Sequence, residues 1–147
     1  MVAKMMNIHS KDVVYREATA VGEIHLRPET VAIIRSGQVE KGDPIQIGTI
    51  AGIQAAKFTS TLIPLCHPLR IENTNIKVEV EDWGVKASAT VIASEKTGVE
   101  MEALTSVLTT LLNIWDVVKM YEKDKQGQYP YTTISEVRVV KKVKKPL

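Results

Sequence analysis

Residues 75–93, "NIKVEVEDWGVKASATVIA", decide the fold. Ile76, Val78 and Val80 alternate with Lys77, Glu79 and Glu81, and Val85, Ala87, Ala89 and Val91 alternate with Lys86, Ser88 and Thr90. Successive side chains of a strand point to opposite sides, so each half has an apolar face and a polar face. "EDWG" between them reads as a hairpin turn. The pattern predicts an antiparallel sheet covered on one face only.

Flanking segments supply the cover. "TGVEMEALTSVLTTLLNIWDVVKMYEK", residues 97–123, is the longest helical pattern, with Thr97 and Glu100 at capping-box spacing. "RPETVAIIRSGQ", residues 27–38, predicts a short helix that Pro28 opens and Gly37 stops. In residues 41–63 Asp43 caps and Pro44 opens another helix, whose Gly48, Gly52 and Ala56 form a smooth ridge for a close neighbour. That ridge suits a packed interface between copies of the chain. "VVYREATAVGEIHL", residues 13–26, reads as extended with a break at Gly22, and "ISEVRVVKKV", residues 134–143, as a last strand. Residues 1–12 show no period and are expected to be loose. The expected architecture is a two-layer α+β domain spanning residues 1–147.

Composition narrows the function classes. The chain has 147 residues and a formal net charge of +2, so no overall basic footprint marks a nucleic-acid binder. Only the end, "KKVKKPL", is locally basic. One cysteine and three scattered histidines give neither an internal disulfide nor a zinc spacing, so no metal site is expected. No apolar run reaches the length of a membrane span, and a soluble cytoplasmic protein is expected.

Several residues sit where structure alone does not call for them. Met101, Leu104, Leu108, Leu111, Leu112, Trp115 and Val118 fall on one helical stripe, and Lys119 falls inside it with Asp116 at its edge. Either Lys119 snorkels beside an incidental partner, or the two form an acid–base pair. Glu100 and Glu102 either complement a helix dipole or accept hydrogen bonds from a ligand's amide and amine edge. "IPLCHPL", residues 63–69, holds Cys66 and His67 between Pro64 and Pro68. Pro68 pushes His67 toward extended geometry, so Cys66 and His67 are expected to face opposite ways. This frame is either a buried connector or a stiff rim that presents His67 to a pocket. Lys41 and Lys57 are surface lysines by default and an anion site if they converge with His67. Arg16 offers a further bidentate phosphate contact.

"KGDPIQIGTIAGIQAAKFTSTLIPLCHPL", residues 41–69, and "TGVEMEALTSVLTTLLNIWDVVK", residues 97–119, closely resemble the two signature blocks of the MoaC family. Residues 13–26 resemble its N-terminal segment, in matching order. The resemblance implies a ferredoxin-like fold and an enzyme of molybdenum cofactor biosynthesis. Its substrate would be a cyclised GTP derivative made by a radical-SAM partner, and its products cyclic pyranopterin monophosphate and pyrophosphate, a lyase reaction without a cofactor. It also implies a hexamer of three dimers with sites at the dimer interface, and neither a nucleic-acid nor a membrane partner. Asp116 and Lys119 match the family's catalytic pair. Lys41, Lys57 and His67 match its basic residues around the triphosphate and sugar. Leu65, Cys66 and His67 match one substrate-contacting segment, and Glu100, Met101 and Glu102 another. The chain departs from the family at its end, where "KKVKKPL" replaces a Gly-rich segment, and in the longer connector "KDKQGQYPYTTI". A non-catalytic module that holds a nucleotide or pterin is the rival reading.

Overall fold

The computed structural model covers residues 1–147. Strand β1 (Val14–His25) leads into α1 (Pro28–Ser36), α2 (Pro44–Lys57) and the short α3 (Thr59–Leu62). The hairpin β2 (Asn73–Glu81) and β3 (Gly84–Glu95) follows, then α4 (Glu100–Glu122) and β4 (Thr133–Lys145). All pairings are antiparallel and the strand order is β2-β3-β1-β4. This is the expected ferredoxin-like α+β fold. Residues 1–13 form neither helix nor strand.

The period of two that predicts the hairpin also fills the core. Ala87, Ala89 and Val91 of β3 and Ala18, Ala20 and Ile24 of β1 are buried on the helix-covered face. Small side chains there let α4 lie close to the sheet. β1 runs through Gly22, but its pairing with β4 shifts register there, between Val21 and Glu23, and a Cβ at Gly22 would come within 2.8 Å of Leu111 Cδ1 on α4.

Helix ends follow local chemistry, with one exception. Asp43 Oδ1 accepts from the backbone N–H of Ile45 at 2.9 Å, and Pro44 opens α2. Gly37 ends α1 with φ 73°, a left-handed conformation suited to glycine. The capping box expected from Thr97 and Glu100 does not form: Val99 is the N-cap of α4 and no side chain caps it. Glu100 turns instead to Lys142 of β4, at 3.4 Å.

The core face of α4 also differs from expectation. Ala103, Val107, Leu111, Ile114 and Val118 are buried, whereas Leu108 and Leu112 are 42% and 61% exposed. At 100° per residue the expected stripe is centred roughly 80° round the helix from the true core face, and Leu111 and Val118 belong to both. The helix packs through its small residues because both neighbours approach closely, and several of its leucines are left outward. By length and composition α4 is apolar enough to cross a membrane, but half of its most apolar stretch is buried within this chain.

The glycine ridge of α2 is spent on this same helix. A Cβ on Gly48 would come within 3.0 Å of the Thr110 carbonyl oxygen, and one on Gly52 within 3.1 Å of that of Ser106. The Gly52 Cβ would also strike Thr110 Oγ1 and Ile76 Cδ1. Ser106 Oγ donates to the Gly52 carbonyl at 2.7 Å. The ridge is therefore an internal contact and lends no support to an interface between chains. Gly52→Ala should lower stability by about 1–3 kcal/mol, because overpacking outweighs the ~1 kcal/mol of helix propensity gained. A higher urea midpoint for this variant would contradict the packing account.

A buried carboxylate that the sequence pattern gives no reason to notice ties the layers together. Glu122, at the end of α4, accepts from the Arg27 backbone N–H at 3.0 Å and from Thr132 Oγ1 at 2.6 Å. Thr30 Oγ1 donates to it as well. Arg27 caps α1 without a side-chain bond, so Glu122 serves the start of that helix from across the fold.

Candidate functional site

The candidate residues gather in two groups at opposite ends of α4. The first is built on its last turns. Asp116 and Lys119 are one turn apart, and Asp116 Oδ1 lies 3.2 Å from Lys119 Nζ. Lys41, in the loop that Asp43 closes, reaches over from the start of α2. Its Nζ donates to the Asp116 carbonyl oxygen at 3.0 Å and lies 3.8 Å from Oδ1. The hydrogen bond from Lys119 and then the charge of Lys41 hold the Asp116 carboxyl below its ordinary value. The expectation that Lys119 sits within the core stripe fails, since its side chain is 41% exposed. It stands at the end of an outward apolar row, beside a hollow lined by Leu112, Trp115 and Ile134. The long connector contributes Tyr129, whose ring meets that of Trp115 edge-on at 5.3 Å. Two ammonium groups around one carboxylate leave net positive charge at an open surface, which suits an anion and supplies a proton donor.

The second group surrounds a cavity of about 410 Å³ at the start of α4. Leu65, Cys66 and His67 form one wall, and Glu100, Met101 and Glu102 another. Cys66 and His67 border the same cavity, contrary to expectation. The chain turns rather than extends here, because the Cys66 N–H donates to the Ile63 carbonyl at 3.0 Å. Burial, and next the charge of Glu102, push the Cys66 thiol upward, so it does not supply a ready thiolate. His67 Nε2 donates to the Met6 carbonyl oxygen at 2.7 Å. The otherwise irregular N-terminal segment thus closes a third side, with Met6 and Lys11. Nothing periodic in residues 1–12 signals this contribution.

Glu102 is 3% exposed. Burial raises its pKa from 4.5 to about 7, its own backbone N–H opposes this, and the charge of Glu100 adds to it. The folded chain therefore keeps the proton through a window in which the unfolded chain has lost it. Stability should fall as pH rises from about 4.5 to about 7 and stay level above. Glu102→Gln should match its parent below the window and exceed it above by up to about 3 kcal/mol. Denaturation at a series of pH values checks this, and an equal difference at every pH would contradict it.

The two remaining candidates lie elsewhere. Arg16 is buried, and its Nε and Nη2 donate to the Glu95 and Lys96 carbonyls at 3.2 and 3.1 Å. The guanidinium expected at a phosphate is engaged with the end of β3, which fixes the loop before α4. Lys57 sits on the outer side of α2 in an apolar hollow with Ile50, Ile53 and Phe58. Gly48 meets Thr110 and Gly52 meets Ser106, so α2 and α4 run antiparallel and Lys57 falls at the Glu102 end of the pair.

Comparison with known proteins gives a consistent picture. A family model described as the MoaC family matches residues 5–145. A probable cyclic pyranopterin monophosphate synthase of Sulfurisphaera tokodaii is 52% identical over 142 residues, covering 97% of this chain and 94% of the relative. One of Pyrococcus abyssi is 54% identical over 141 residues, with 96% and 89% covered. One of Sulfolobus acidocaldarius is 51% identical over 140 residues, with 95% and 98% covered.

Proposed function

The chain belongs to the MoaC family, and from that premise we propose that it converts a cyclised GTP derivative, supplied by a radical-SAM partner, into cyclic pyranopterin monophosphate. Pyrophosphate leaves as the cyclic phosphate closes. The cavity at the start of α4 takes the ring system: Glu100 and Glu102 accept from its amide and amine edge, and Met101, Leu65 and Cys66 pack on it. Lys41 and Lys119 stabilise phosphate charge and move protons, with Asp116 holding Lys119 in place. Lys57 adds positive charge around the triphosphate, and His67 lies beside the sugar.

One observation carries the quaternary part of this reading. Glu102 and Lys119 are separated along α4 by roughly 25 Å at 1.5 Å per residue, too far for one nucleotide-sized substrate to touch both. Midway between the two groups lie the outward Leu108 and Leu112. A twofold axis there would set two α4 helices antiparallel and bring Asp116 and Lys119 of one chain against Met101 and Glu102 of the other. The active unit is then a dimer with shared sites, and the hexamer is three such dimers.

Mixing two inactive variants tests this. Lys119→Ala and Met101→Arg chains, unfolded together and refolded, should regain about one quarter of parental turnover, because random pairing leaves that share of sites intact. No recovery from a mixture that refolds and exchanges subunits would rule out the shared site.

A further inference from the structure

The cavity at the start of α4 holds a lysine that none of the roles above uses. Lys11 borders it from the N-terminal segment, in the same lining as Glu100 and Glu102. It is the one lysine among the lining residues, and its side chain makes neither a hydrogen bond nor an ion pair within the chain. The segment is nevertheless fixed in place. His67 donates to the Met6 carbonyl at 2.7 Å, Lys96 Nζ donates to the His9 carbonyl at 2.9 Å, and the Lys11 N–H closes a turn onto the Ile8 carbonyl at 3.1 Å. Two side chains thus hold the strap by its main chain and leave its one cavity-lining cation free.

The first turn of α4 supplies acceptors. Glu100 Oε1 is buried and has no partner, while Oε2 lies 3.4 Å from Lys142. Carboxylate acceptors and an ammonium donor lining one cavity match one edge of a guanine-type ring. Such an edge presents an N–H and an amino group beside a carbonyl oxygen. An adenine-type ring has an amino donor where that carbonyl would be, and it would face the lysine donor-to-donor.

We infer that Lys11 is a specificity-determining residue of this site: it donates to the ring carbonyl oxygen of the substrate, and the strap of residues 6–11 carries it there. This rests on the reading of the cavity as the ring-binding part of the site. It adds what that reading alone lacks, a means of rejecting adenine-type rings, since two carboxylates without a donor specify only half of the edge. A site built to pair a polar group discriminates strongly against a ring that leaves it unpaired.

Calorimetric titration of the intact protein with GTP, ITP and ATP at one ionic strength tests the assignment. ITP keeps the ring carbonyl and lacks the amino group. The parent should prefer GTP and ITP to ATP. Lys11→Ala should weaken GTP and ITP about tenfold and ATP little, so that the preference shrinks by the same factor, and Lys11→Arg should restore most of it. An equal loss for all three would make Lys11 a general phosphate contact and overturn the assignment, as would unchanged affinities or a parent without preference. Lys11 is exposed, so an unchanged melting temperature is expected and verifies the fold of each variant. Turnover of cyclised GTP is read separately. Turnover with a Lys11→Ala variant of unaltered base preference sinks this assignment alone, and base-selective binding without turnover sinks the catalytic reading alone.

Discussion

Lys119→Met should retain its fold and lose on the order of 10²–10⁴-fold of turnover, the range of a positioned acid or base. Lys119 is half-exposed at the end of an outward row containing Leu108, Leu112 and Trp115, where methionine is at home. Its stability should therefore change little, and substrate should still bind through the cavity at the other end of α4. Asp116→Asn should have nearly the same effect. The amide keeps the shape but removes the charge that holds Lys119 Nζ at 3.2 Å and shares Lys41. The two act as one unit, so the double variant should be little worse than either single one. Additive losses would show two independent roles. Full activity in Lys119→Met would return the pair to the surface and remove the mechanism.

Glu122→Ala should destabilise the fold by about 3–5 kcal/mol, because three donors lose their acceptor at roughly 1–3 kcal/mol each where they stay buried. Its carboxylate is 1% exposed and receives the Arg27 N–H, Thr30 and Thr132. Removing it strips the start of α1 of its cap and leaves two buried hydroxyls without their acceptor. Glu122→Gln should cost less, since the amide oxygen still accepts. Hydrogen exchange should show α1 and residues 130–133 opening first in both variants. A loss below ~1 kcal/mol in Glu122→Ala would mean that water replaces the carboxylate without penalty.

Local chemistry made much of this molecule legible. The alternation in β2 and β3, the Asp43–Pro44 start and the Gly37 stop depend on neighbours in the chain, so the sequence displays them directly. The core face of α4 was not legible in the same way. Bulk suggested Leu108 and Leu112, but close approach by Gly22, Gly48 and Gly52 selects the face of Ala103, Val107 and Thr110 instead. The ridge on α2 signals a close contact but not an interface between chains, because a small-residue stripe does not say whether its partner is the same chain. Glu122 looked like the ordinary acidic end of a helix, since its donors come from residues 27, 30 and 132. Asp116 and Lys119 were visible as a pair through their spacing. The third member, Lys41, joins them only because the chain folds back at Asp43. Lys11 lies in a stretch without period and gains meaning only from the cavity it borders.

Turnover tests most directly the proposed conversion of a cyclised GTP derivative into cyclic pyranopterin monophosphate at a site shared between two copies. Purified protein should be supplied with that substrate and no radical-SAM partner, and pyrophosphate and the pterin product followed together. Stoichiometric release of both, abolished in Lys119→Met, is the predicted result. Tight binding by well-folded protein with neither product formed would contradict it and leave a pterin-binding module in its place.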